Sequence, residues 1–212
     1  MKKCLQSFII LFVFNTALLA QYIWVPLTNP LGFGDDAMVG KVQFVSNMEG
    51  WISCSDGGLL HSTDGGSVWD IINAFPSDTV ERFCDPAITM SWITNSHGWV
   101  IGTLGGLGTP RGAVIYYTTN YGQAWQRKIL STETGTVGVQ VQFVDQNTGW
   151  VLLFNFDTGM PTFLKSTDGG NNWAVIDGRG IFYYADAHNG WAYGGTGSSL
   201  SLIHISEPTR PY

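Results

Sequence analysis

The chain has 212 residues and is 44% hydrophobic and 14% aromatic but only 12% charged, with a formal net charge of −6. That balance suits a folded, strand-rich body with a sizeable core and excludes a disordered chain. Between Gln21 and Ser199 seven Lys or Arg stand against fifteen Asp or Glu, so phosphate backbones and anionic lipid are poor partners and no nucleic acid is expected.

Residues 1–20 read as an export signal. Lys2 and Lys3 supply the positive start, Leu5 to Leu19 is almost wholly apolar, and Ala20 is a small residue at which a peptidase cuts. The mature chain is therefore expected in a secreted, periplasmic or cell-surface location. The apolar run is shorter than the roughly 20 residues that span a bilayer and is broken by Asn15 and Thr16, so no stable membrane span is expected. Cys4 precedes the run, too early for a lipid-modified cysteine. Two cysteines remain, Cys54 and Cys84. An oxidising compartment makes them candidates for a disulfide, and two buried free thiols are the equal alternative, because sequence does not supply their Cα separation.

The body, 21–199, is repetitive. A Gly-Trp pair recurs at Gly50-Trp51, Gly98-Trp99, Gly149-Trp150 and Gly190-Trp191, at spacings of 48, 51 and 41 residues. A second element follows the first three pairs, with the pattern [ST]-x-[DN]-x-G-x-x-W: Ser62, Asp64, Gly66 and Trp69; Thr118, Asn120, Gly122 and Trp125; Ser166, Asp168, Gly170 and Trp173. Each unit is predicted to hold four short antiparallel strands. An alternating strand such as Val42 to Val45 is followed by a turn, Gly-Trp opens the second strand, the third enters the Asp-x-Gly turn, and the fourth leaves through the Trp. In the turn, Asp or Asn accepts backbone N–H bonds, Gly takes the positive φ, and the Trp ring covers the hairpin with its indole N–H on a carbonyl. Units of about 40 to 50 residues built this way predict an all-β fold, a β-propeller of four-stranded antiparallel blades.

These residues resemble the Asp-box, or BNR-type, repeats of sialidases, sortilin-like receptors, some glucanases and, most closely, the photosystem II assembly and stability factor family. Phe44 to Trp69 and Phe143 to Trp173 reproduce that family's order of apolar strand, Gly-Trp and Asp-box hairpin. The second unit departs from it, with Thr118, Asn120 and Tyr121 in place of Ser, Asp and Gly and a Gly-rich loop from Gly102 to Gly112. The resemblance implies a protein-binding or assembly scaffold that meets a protein partner through its rim loops or top face.

In the fourth unit the Asp-box is expected near 202–209, where no such motif appears. Residues 200–212 read as an adapter-derived, non-native tail to be set outside the fold. About three and a half blades remain, fewer than the four to eight that close a ring, so a blade edge is expected to be exposed. The strand Tyr22 to Leu27 is a candidate to close the ring against the last blade.

No catalytic site is expected. The arginines of the body, Arg82, Arg111, Arg127 and Arg179, lack the sialidase setting. Glycoside hydrolysis needs two carboxyl groups facing one cleft, and nothing in the spacing of Asp35, Asp36, Glu81, Asp85, Glu133, Asp145, Asp157 and Asp186 selects a pair. Asp64 and Asp168 recur as a fold-making turn predicts and as a single active site does not. His61, His97 and His188 are far apart and read as surface or turn residues, with no metal site and no cofactor. The alternatives are a carbohydrate-active enzyme of glycosidase or sialidase type, with carbohydrate as ligand, and a cell-surface adhesin or display module.

Overall fold

The computed structural model describes residues 39–54, 58–72, 81–82, 90–105, 111–178, 180–194 and 201–206. The expected signal segment, the strand Tyr22 to Leu27, and Asp35, Asp36, Cys84, Asp85 and Arg179 lie outside them. Every described element is a strand, and the strands form four antiparallel sheets.

Sheet 1 holds β1 (Val39–Phe44), β2 (Gly50–Cys54), β3 (Leu59–Ser62) and β4 (Asp70–Ile72), in that order. Sheet 3 repeats it with β10 (Thr136–Phe143), β11 (Gly149–Asn155), β12 (Met160–Ser166) and β13 (Ala174–Ile176). In sheet 2 the first strand comes in two pieces, β5 (Glu81–Arg82) and β6 (Met90–Trp92). Both pair with β7 (Gly98–Leu104), which β8 (Gly112–Thr118) and β9 (Gln126–Ser131) follow. Sheet 4 has β14 (Ile181–Tyr184), β15 (Asn189–Gly194) and β16 (Ser201–Ser206). The predicted grammar holds: Gly-Trp opens β2, β7 and β11, and β4, β9 and β13 each start one residue after the box Trp.

Alternation along the strands sends one set of side chains to each neighbouring sheet. Trp51 and Leu59 of sheet 1 pack on Met90, Trp92, Val100, Val114 and Tyr116 of sheet 2. The other face of sheet 2, with Trp99, Ile101 and Ile115, packs on Val141, Phe143, Val151 and Leu164 of sheet 3. Trp150, Leu152 and Phe163 then pack on Phe182, Tyr184 and Ala192 of sheet 4. Middle strands buried on both faces read as continuous apolar runs such as Trp150-Val-Leu-Leu153. On sheet 4, Ile181, Tyr183 and Tyr193 are exposed.

Residues 201–206, part of the segment read as a non-native tail, form β16 and pair along the whole of β15, from Asn189↔Ser206 to Gly194↔Ser201. That register moves the fourth box position. Ser62, Thr118 and Ser166 stand opposite Gly50, Gly98 and Gly149, and Ile205 stands opposite Gly190. By that register the position begins at Ile205 rather than near 202. The Gly-rich loop is also shorter than expected, since Gly102 to Leu104 belong to β7 and Gly112 begins β8.

Candidate functional site

The recurrent residues form three copies of one turn. In the first, Ser62 Oγ donates to Asp64 Oδ1 at 2.9 Å and accepts the Gly66 N–H at 2.9 Å. Asp64 Oδ1 accepts the Ser67 and Val68 N–H groups, both at 2.9 Å. In the third, Ser166 and Asp168 do the same for Gly170 and Asn172. The second box, whose substitutions put its turn in question, closes identically: Thr118 Oγ1 bonds Asn120, and the Gly122 and Ala124 N–H groups are accepted at 3.1 and 2.9 Å. Tyr121 takes a φ of 63° where Gly65 and Gly169 take 78° and 75°, the left-handed conformation that costs a side chain roughly 1–2 kcal/mol. Each box Trp donates its indole N–H to the carbonyl of the Gly three residues before it, at 2.9 to 3.0 Å in Trp69, Trp125 and Trp173.

The bonds that make the turn also settle the boxes' electrostatics. The Val68 N–H, then the Ser62 hydroxyl, hold the Asp64 carboxyl below the ordinary aspartate value, and the backbone and side-chain N–H groups of Asn172 do the same for Asp168. Both groups are held on the ionised side by the bonds that build the turn, three of them to Oδ1 of Asp64 and others to both oxygens of Asp168, which suits a scaffolding role.

Other candidate carboxylates are turn caps. Burial raises the Asp145 pKa, the Thr148 and Asn147 N–H bonds outweigh it, and the net shift is downward. The Asn189 side chain, then the His188 N–H, lower that of Asp186. Asp157 and Glu133 sit in the turns that follow β11 and β9, and only the backbone of Glu81 and Arg82 is described. Arg111 and Arg127 are exposed. Among the described residues no cluster of three His, Cys, Asp or Glu could hold a metal ion. His97 is a turn residue bonded to Thr94, and His188 is exposed. His61 differs from its expected surface place, lying half-buried with its ring stacked 3.9 Å from Trp51, where burial lowers its pKa against the opposing effect of Glu49. Cys54 is buried on β2.

The sheets are joined by parts that the motif reading does not contain. The Trp of each of the first three Gly-Trp pairs stacks on the last aromatic of the next sheet's first strand: Trp51 on Trp92 at 3.8 Å, Trp99 on Phe143 at 3.7 Å and Trp150 on Tyr184 at 3.6 Å, all within 14° of parallel. The Gly of the pair makes room for the same ring from its own sheet. A Cβ on Gly149 would stand 2.5 Å from Phe143 and one on Gly190 2.5 Å from Tyr184, and Gly98 lies equally close under Trp92. The box Trp then meets that ring edge-on, as Trp173 meets Phe143 and Trp125 meets Trp92, each at 5.9 Å. The signal was present as an aromatic six residues before every Gly: Phe44, Trp92, Phe143 and Tyr184.

The first strands are clasped to one another by side chains. The Gln43 amide donates to the Trp92 carbonyl at 2.6 Å and accepts the Trp92 N–H, and Gln142 clasps Tyr184 in the same way. Gln140 binds both backbone groups of Phe182, and Ser91 Oγ accepts the Phe143 N–H at 2.9 Å. These clasps gather β1, β6, β10 and β14 around an axial cleft of about 540 Å³, walled by Trp92, Phe143, Ile181, Phe182, Tyr183, Trp191 and Tyr193. Lys41 is the one charged residue among the described lining residues. Its ammonium donates to the Met90 carbonyl at 2.8 Å, and burial lowers its pKa from 10.5 to about 8.

Antiparallel sheets of this kind, three of them carrying an Asp-box at the outer hairpin and all joined through clasped first strands, define a β-propeller. No protein-family model and no curated protein matches the chain. Among solved structures it is similar to one described as YCF48 bound to D1 peptide, with a TM-score of 0.57 and 19% identity over 82% of this chain and 52% of that one. It is also similar to YCF48 from Cyanidioschyzon merolae, with a TM-score of 0.48 and 18% identity over 82% of this chain and 58% of that one. The chain thus spans a little over half the length of each. At such identity the likeness establishes the propeller fold.

Proposed function

We propose that the chain is the exported, non-catalytic propeller module of a protein-binding or assembly scaffold, and that it receives its partner at the axial cleft. The observation that carries this reading is the cleft's chemistry: aromatic walls, a single cation and no carboxylate among the described lining residues. Concave apolar sites with few polar groups suit recognition of a ligand, whereas glycoside hydrolysis requires two carboxyl groups across the cleft. Asp64, Asp168, Asp145 and Asp186 are all engaged in turns. The propeller of known structure with the higher TM-score is described as bound to a peptide, D1, which supports a peptide ligand here. Export rests on residues 1–20 and is checked by N-terminal sequencing of the secreted chain, which should begin at Gln21.

The test is a titration of fluorescein-labelled D1 peptide followed by anisotropy. Saturable binding that a composition-matched scrambled peptide does not reproduce is the expected result. Equal anisotropy curves for the two peptides, or none for either, would sink the scaffold reading in this form.

A further inference from the structure

The cleft's one cation stands in an acidic body. With fifteen acidic against seven basic residues from Gln21 to Ser199, a lysine at the axis reverses the local sign. Lys41 is fixed there by its bond to Met90, and Gln43 and Gln142, in the same lining, each give one amide N–H and the amide oxygen to Trp92 and Tyr184. A ligand therefore finds aromatic walls, one ammonium as the single charge among the described lining residues, and neutral amide groups already held in place by the clasps. Tyr183 and Tyr193, 62% and 50% exposed, line the same cleft and hold apolar area open in it. A buried cation gains most from an anion, because low dielectric strengthens the attraction that water would screen.

We infer that the axial cleft selects an extended peptide in which a carboxylate side chain alternates with apolar ones, the carboxylate on Lys41 and the apolar side chains against Tyr183 and Tyr193. This rests on the peptide-binding reading above and adds the chemistry that is recognised. The lowered pKa of Lys41 agrees with it, since a bound carboxylate restores the charge that burial disfavours.

The experiment uses two labelled, end-capped decapeptides, one alternating Leu with Glu and its twin alternating Leu with Gln. Wild-type protein should bind the Glu peptide about tenfold more tightly, an effect of about 1.4 kcal/mol. Lys41→Met should bring the two peptides to equal affinity, and Lys41→Arg should keep the preference. Far-ultraviolet circular dichroism checks that both variants fold. Equal binding of the two peptides by wild type, or a Glu preference that survives Lys41→Met, overturns the inference while the scaffold reading stands. Binding of neither decapeptide overturns it as well, and the D1 titration decides separately whether the scaffold reading falls with it.

Discussion

Gly149→Ala tests the junction between sheets 2 and 3. Its Cβ would stand 2.5 to 2.6 Å from three atoms of the Phe143 ring, directly over the ring face. Carbon atoms prefer about 3.5 to 4.0 Å, so the ring must retreat by about 1 Å. Trp99 lies 3.7 Å away in a parallel stack, Trp173 meets the ring edge-on and Phe143 is buried, so the ring moves only by disturbing both contacts. Gly149 is outside the left-handed backbone region, which leaves the clash as the whole effect. Overpacking costs about 1–3 kcal/mol and a disturbed aromatic stack about 0.5–1.5 kcal/mol, giving an expected loss of about 2–4 kcal/mol. Urea denaturation followed by tryptophan fluorescence measures it. Phe143→Leu in the same chain removes the flat ring, so the double variant should be more stable than the sum of the single losses by over ~1 kcal/mol. A loss below ~0.5 kcal/mol, or simple additivity, would refute the sandwich as the reason for that Gly.

Three further outcomes are expected. Tyr121→Gly should stabilise the protein by about 1 kcal/mol by relieving the left-handed conformation of an exposed side chain, read as a melting temperature raised by about 2–4 °C. The depressed Asp64 and Asp168 carboxyls contribute stability that is full above the ordinary aspartate pKa near about 3.9 and is lost as pH falls through their lower folded values. The Asp64→Asn, Asp168→Asn pair should flatten the melting temperature against pH in that acid range, because Asn120 already closes the second turn uncharged. For Lys41 the unfolded chain keeps its proton up to 10.5 and the folded chain releases it near 8, so stability should rise across that window in wild type more than in Lys41→Met.

The sheets and boxes were legible because their determinants are local. A Gly-Trp pair opening a strand and an Asp or Asn two residues after a hydroxyl specify turns within eight residues, and even Tyr121 bends into the same turn because the bonds from Thr118 and Asn120 over-determine it. The junctions were not read because their partners lie in different repeats, as Gln43 with Trp92 or Trp99 with Phe143. Phe143 looked like any apolar strand residue until Trp99 was placed on it. β16 escaped because Ile205 stands opposite Gly190, where the hydroxyl residue of a box would be, so the sequence carries no turn signal there. Lys41 carries no motif and gains meaning only from the sign of the residues gathered round the axis.

The central claim, recognition of a protein segment at the axis, is tested most directly by hydrogen exchange with and without saturating D1 peptide. The account predicts slowed exchange in β1, β6, β10, β14 and β15, which wall the cleft, with β4, β9 and β13 at the outer edge unchanged. Protection confined to those outer strands and the Asp-box turns would place the ligand on the rim and contradict it.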